Sequence, residues 1–196
     1  METDKEDKPH LAGQRLHGDP DPQTQVERMI RVDHAGEYGA ARIYAGHLAV
    51  LGQRPVGNEI RAMADQEKRH LETFERMVIE RRVRPTALTP AWHVAGYALG
   101  VATAMMGERA AMACTVAVED VIEKHYTRQS AQLGEDEVEL RQVIDEFRGD
   151  EIEHKEIGLD HISAARENGE PNTAYPVLSR AIKTGSRLAI WLSTRL

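Results

Sequence analysis

Residues 150–161 read DEIEHKEIGLDH. Glu151 and His154 stand three positions apart, so on a helix their side chains lie about 60° apart around the axis and one short step along it. Both then face one point in space. Outward from this pair the same helical stripe carries Leu140, Ile144, Phe147 and Gly158, an apolar row that the acid and the imidazole interrupt. A second Glu-x-x-His, Glu67 and His70 in DQEKRH at 65–70, interrupts the row Ile60, Met63, Phe74 and Met77 in the same way. The competing reading is a solvated acidic face with incidental histidines. Counting does not refute it, since 21 Glu and 9 His in 196 residues give about one such pair by chance. Helical phase does, because a solvated face does not sit in the middle of an apolar stripe.

Pro and Gly divide the rest of the chain into helical segments. Residues 1 to about 20 are polar, contain Pro9, Gly13, Gly18 and Pro20, and read as a flexible lead to one helical domain over 21–196. The spacing predicts a first helix from Pro22 to Leu51 and a second with Pro55 in its first turn, running to about Val83 before Pro85. An apolar third segment spans Pro90 to Gly107, and a fourth helix Glu108 to Leu133. A fifth runs from Glu135 to about Asn168, closed by Gly169 and Pro171, and a sixth from about Tyr175 to the end. Period-two runs of Val, Ile and aromatics are scarce, so the fold class is all-α. The expected architecture is a four-helix bundle with two additional helices, the apolar third and a basic amphipathic sixth.

The two Glu-x-x-His pairs are halves of a repeat. Glu37 precedes Glu67 by 30 residues and Glu119 precedes Glu151 by 32, as a duplicated helical hairpin would give. Glu37 shares a face with Met29, Ile30, Tyr44 and Leu48, and Glu119 with Met112, Val116, Ile122 and Tyr126. One Glu from each of two helices and Glu-x-x-His from the other two is the donor set of ferritin-like di-iron bundles. Four buried carboxylates need a shared cation, and carboxylates that bridge two irons with imidazoles capping them leave positions for dioxygen. The metal-ligand candidates are therefore Glu37, Glu67, His70, Glu119, Glu151 and His154. Lys68 and Arg69 point outward in this phase, and Glu123, Glu153 and Glu156 read as surface or outer groups. Asp33, one turn before Glu37, either orients a ligating histidine or lies on the surface.

Composition narrows the function further. A net charge of -7 argues against nucleic acid as a partner. The lone Cys114 excludes a disulfide framework, an all-cysteine metal site and the cysteine-rich iron site of a rubrerythrin-like peroxidase, and reads as an inert core thiol. Residues 91–107, AWHVAGYALGVATAMMG, carry no charge and form either a buried helix or one lying on a membrane surface. From Pro171 to the end there is no acid, while Arg180, Lys183, Arg187 and Arg195 stand among Leu, Ile and Trp191, a composition suited to anionic headgroups.

Four stretches carry a family resemblance: VDHAGEYGAARIYAG at 32–46, DQEKRH at 65–70, ACTVAVED at 113–120 followed by His125 and Tyr126, and DEIEHKEIGLDH at 150–161. Together they resemble the demethoxyubiquinone hydroxylases of ubiquinone biosynthesis, over about residues 26–196. The resemblance implies a ferritin-like di-iron monooxygenase that uses dioxygen to hydroxylate the ring of a lipophilic demethoxyquinol. It further implies two iron ions on the six residues named above, NADH as electron donor, and peripheral attachment to the membrane that holds the quinol. Mitochondrial members are associated with a lipid-binding partner protein, and this chain's need for one stays open. His125 and Tyr126 would line the pocket or relay electrons, with plain core packing as the alternative. The polar, acidic N-terminus is unlike a transit peptide, so the expected location is the cytoplasmic face of a bacterial inner membrane, or the matrix side of the mitochondrial inner membrane for a trimmed eukaryotic chain. A ferritin-like iron-binding or storage bundle without an organic substrate is the alternative function.

Overall fold

The computed structural model describes residues 21–167 and 175–196. The polar lead over 1–20, and Gly169 with Pro171 as the stop of the fifth helix, lie outside the described residues. Six helices follow in order: α1 Pro22–Leu51, α2 Gly57–Glu80, α3 Thr89–Met105, α4 Glu108–Gln132, α5 Val138–Glu167 and α6 Pro176–Ser193, with one 3-10 turn, Glu135–Glu137, before α5. No strand occurs among the described residues. The fold is all-α, a ferritin-like bundle with two added helices.

Both ends of α2 differ from expectation, and α5 begins at Val138 rather than Glu135, after the 3-10 turn. Pro55 sits in a double turn, where the Arg54 N–H donates to Leu51 O at 2.8 Å and the Gly57 N–H to Arg54 O at 2.8 Å, so α2 begins beyond it. At the other end α2 stops before Val83, because Arg82 turns into the left-handed region with φ of 55°. That turn lets the Val83 N–H donate back to Val78 O at 2.9 Å, a six-residue capping bond that satisfies an end carbonyl.

Helices α1, α2, α5 and α4 form a closed ring, each packing on the next. Their shared interior is layered. One apolar cluster, with Ile30, Phe74, Leu140, Ile144 and Phe147, fills one end, and a second, with Leu51, Ile60, Met63 and Met112, fills the other. The acids and imidazoles of the apolar stripes lie between them. Cys114 is buried and its thiol is pushed up to about 12 by desolvation, which suits an inert core group.

Helices α3 and α6 pack outside the ring, against α1 and α4. The buried-helix alternative for α3 does not hold: only Gly96, Gly100, Thr103 and Ala104 are buried, while Val94 and Met105 are exposed. No helix among the described residues is long and apolar enough to cross a membrane. Glycines bring the backbones of α3 and α1 into direct contact, beside side-chain contacts such as Tyr38 with His93 and His47 with Thr103. A Cβ at Gly100 would collide with the Ile43 carbonyl, and one at Gly96 would lie 2.8 Å from Gly39 O.

Gly100→Ala is expected to destabilise the protein by about 3 kcal/mol or more, as overpacking against backbone rather than a movable side chain does. Gly149 lies in α5 with nothing within 4 Å of its would-be Cβ. Gly149→Ala is expected to stabilise by about 1 kcal/mol through helix propensity. Denaturant midpoints of the two variants check both signs.

Candidate metal centre

The middle layer of the ring takes one Glu from each of α1 and α4 and a Glu-x-x-His pair from each of α2 and α5. None of Glu37, Glu67, His70, Glu119, Glu151 and His154 is more than 1% exposed. They converge as two groups of four. Glu37, Glu67, His70 and Glu151 each bring one donor atom within 4.8 Å of the others, and so do Glu67, Glu119, Glu151 and His154. Glu67 and Glu151 belong to both groups.

The donor atoms are short of partners. Glu37 Oε2, Glu119 Oε2, both carboxylate oxygens of Glu67 and of Glu151, and Nδ1 of His70 and of His154 make no hydrogen bond. Close approaches such as His154 Nδ1 to Glu67 Oε1 at 3.2 Å and His70 Nδ1 to Glu151 Oε1 at 3.4 Å lack hydrogen-bond geometry. Orphaned buried donors and acceptors cost about 1–3 kcal/mol each, and more when charged. Oxygen and imidazole donors aimed at shared points suit a pair of cations, so the residues fit a dinuclear site.

The outward side of the layer is well bonded. His70 Nε2 donates to Asp150 Oδ2 at 2.9 Å, and His154 Nε2 to Gln66 Oε1 at 2.9 Å. Both acceptors keep a proton on Nε2, so each ring turns its Nδ1 inward, the atom that a metal would take in place of a proton. Tyr44 donates to Glu119 Oε1 at 2.9 Å, and Tyr126 donates to Glu37 Oε1. Burial first, and the nearby carboxylates second, raise both phenols well above 10, so they stay protonated as donors. Phe147 stacks on His70 with ring centroids 3.9 Å apart.

His125 stands farther out, paired with Asp33 Oδ1 at 3.1 Å. Asp33 is buried, so the surface alternative for it fails, and the histidine it holds is none of the six. Lys68, Arg69, Glu153 and Glu156 are exposed, and Glu123 pairs with Lys155. Tyr44, Gln66 and Asp150 escaped sequence reasoning as site residues. The repeat contained the signal: Tyr44 follows Glu37 by seven residues as Tyr126 follows Glu119, and Gln66 and Asp150 each precede the Glu of a Glu-x-x-His pair.

Beside the layer runs an apolar groove of about 450 Å³. Gly36, Ala40 and Val118 from α1 and α4 line it together with Leu99 of α3 and Ile182 and Ala189 of α6. Gly36 and Val118 immediately precede Glu37 and Glu119 in the chain. Trp92 Nε1 donates to Ser193 Oγ at 3.0 Å and ties α3 to α6 at the groove.

Residues 24–193 match the family of ubiquinone biosynthesis protein COQ7. The chain belongs to that family. Among its relatives is a Rhodospirillum rubrum protein named 3-demethoxyubiquinol 3-hydroxylase, 52% identical over 94% of this chain and 85% of that one. A human relative, named NADPH-dependent 3-demethoxyubiquinone 3-hydroxylase, mitochondrial, is 53% identical over 87% of this chain and 78% of its own. A Saccharomyces cerevisiae relative named 5-demethoxyubiquinone hydroxylase, mitochondrial, is 39% identical over 87% of this chain and 78% of its own. COQ7-family membership accords with the resemblance carried by the four sequence stretches.

Without a cation the layer holds protons instead. Burial raises the carboxyls of Glu67 and Glu119 well above their ordinary value of 4.5 and raises that of Glu151. Burial lowers the histidines, but Glu151 and Glu37 outweigh it at His70, which rises to about 11, and Glu67 and Glu119 outweigh it at His154. Folded and metal-free, the layer therefore binds protons that the unfolded chain releases, so its contribution to stability falls as pH rises from about 4.5 upward. A bound metal replaces those protons. The gain in Tm on adding divalent metal to the metal-free protein is therefore expected to grow between pH 5.5 and 8, which differential scanning calorimetry measures; a gain independent of pH would contradict the proton–metal exchange.

Proposed function

We propose that this chain is a di-iron hydroxylase that adds oxygen from dioxygen to the ring of a demethoxyubiquinol. The observation that carries the reading is the pair of donor groups sharing Glu67 and Glu151 beside an apolar groove. Glu37 and His70 would hold one iron and Glu119 and His154 the other, each together with Glu67 and Glu151, which belong to both donor groups. Iron bound there supplies the reduction of dioxygen that ring hydroxylation requires. Tyr44 and Tyr126 hold the terminal carboxylates in orientation through their hydroxyl protons. The groove excludes water and receives a lipophilic quinol alongside α1, where Gly36 leaves the backbone open next to Glu37.

An apolar substrate has to arrive from lipid, and the outer helices suit that surface. Val94 and Met105 of α3 and Val177, Leu188 and Trp191 of α6 are exposed, with Arg180 and Arg187 on the same helix as the last three. This favours peripheral attachment to the cytoplasmic face of a bacterial inner membrane or the matrix face of the mitochondrial one; the eukaryotic relatives are named mitochondrial. The same surface suits a lipid-binding partner protein. Electrons come from a reduced nicotinamide: the resemblance implies NADH, while the human relative is named NADPH-dependent. An iron-storage bundle has no use for the groove or for the apolar outer faces.

Iron-loaded protein given reductant, short-tailed demethoxyquinol and ¹⁸O-labelled dioxygen is expected to yield a ring hydroxyl carrying the label by mass spectrometry. Glu151→Ala is expected to lose most bound iron and all labelled product; iron binding without labelled product in the parent protein would leave the storage reading. Leu188→Asp with Trp191→Asp is expected to release the protein from vesicles of anionic phospholipid at unchanged iron content, as a flotation assay would show.

A further inference from the structure

The two halves of the middle layer are related by the internal repeat, but the groups behind their imidazoles are not the same. His70 on α2 is backed by the carboxylate of Asp150 on α5, and His154 on α5 by the neutral amide of Gln66 on α2. Each of these residues immediately precedes the glutamate of its own Glu-x-x-His pair, so the two occupy equivalent places in the repeat. Both hydrogen bonds measure 2.9 Å, so the difference between them lies in charge and not in reach. A carboxylate acceptor draws the Nε2 proton toward itself and makes Nδ1 a stronger donor; an amide oxygen fixes the ring with far less effect on basicity. The remaining donors are balanced, with one terminal glutamate, one tyrosine hydrogen bond to that glutamate and the same two shared glutamates on each side.

We infer that the two metal positions are inequivalent, with the Glu37–His70 position binding a divalent ion more tightly and filling first because Asp150 stands behind His70. This rests on the dinuclear reading above. Asp150 and Gln66 are positioning residues that act on the metal through histidine. Changing such an outer partner alters metal affinity by about tenfold or more.

Stepwise binding alone does not test the idea, because a first ion weakens the second through the shared carboxylates even in a symmetric site. The deciding measurement is which step each substitution moves. Metal-free full-length protein is titrated with Co²⁺ by calorimetry, with the visible Co²⁺ bands recorded in parallel. With inequivalent positions, a tenfold loss from Asp150→Asn falls mainly on the first step, weakening it about fivefold and the second less than twofold. Gln66→Glu then strengthens mainly the second step, by about fivefold. With equivalent positions the pattern reverses: Asp150→Asn weakens the second step and Gln66→Glu strengthens the first. That reversed pattern, or no change in either variant, overturns the inference while leaving the dinuclear site intact. Failure of the parent protein to take up two ions overturns the dinuclear reading and this inference with it. Asp150 is 28% exposed at its side chain, and both substitutions are near-isosteric, so circular dichroism is expected to show the fold of each unchanged.

Discussion

Four carboxylates and two imidazoles share one dry layer in the middle of the bundle, and that layer is the constraint around which the rest is arranged. An uncompensated buried charge destabilises by several kcal/mol, so the layer survives only by holding protons or holding cations. The apolar clusters above and below seal it from water, and the sealing makes every interaction inside stronger. The tyrosines then follow from the same requirement. Each terminal glutamate has one oxygen aimed at the interior and one needing a donor, and Tyr44 and Tyr126 reach across from the neighbouring helix to supply it. Asp150 and Gln66 do the equivalent for the imidazoles from the layer's rim.

Much of this was legible in the chain because helical phase is a strong signal over long segments. Ile60, Met63, Phe74 and Met77 fixed the buried face of α2, and Glu67 and His70 could only lie on it. The readings that failed depended on details that periodicity does not carry. Pro55 suits a first helical turn, but it also suits a tight turn, and the backbone bonds of residues 51–57 chose the latter. The end of α2 is set by Arg82 entering the left-handed region, where a glycine would have announced itself and an arginine does not. Gln66 and Asp150 were missed because their role depends on the neighbouring helix, which a single-helix projection leaves out. For α3, composition says apolar without saying what covers it, and glycine contacts to α1 leave most of its side chains outside.

The repeat explains the layer, and the departures from the repeat explain the enzyme. A symmetric pair of hairpins would bury its metal-binding layer equally from all sides. Here α3 and α6 are added against α1 and α4, and they build the groove over those two helices alone. In the proposed centre α1 and α4 each supply one glutamate to a single donor group, while α2 and α5 supply the two carboxylates common to both groups and both imidazoles. The ring thus divides into a side that grips the metals and a side that faces the substrate. Small residues serve that second side: Gly36 and Ala40 open space within a residue or one turn of Glu37, where a bulky side chain would fill the groove. In the proposed reading a membrane surface lies against α3 and α6 and meets the groove from outside. The lipid in that reading lies outside the groove and the metal layer behind α1 and α4, so an apolar quinol held in the groove would be shielded from bulk water.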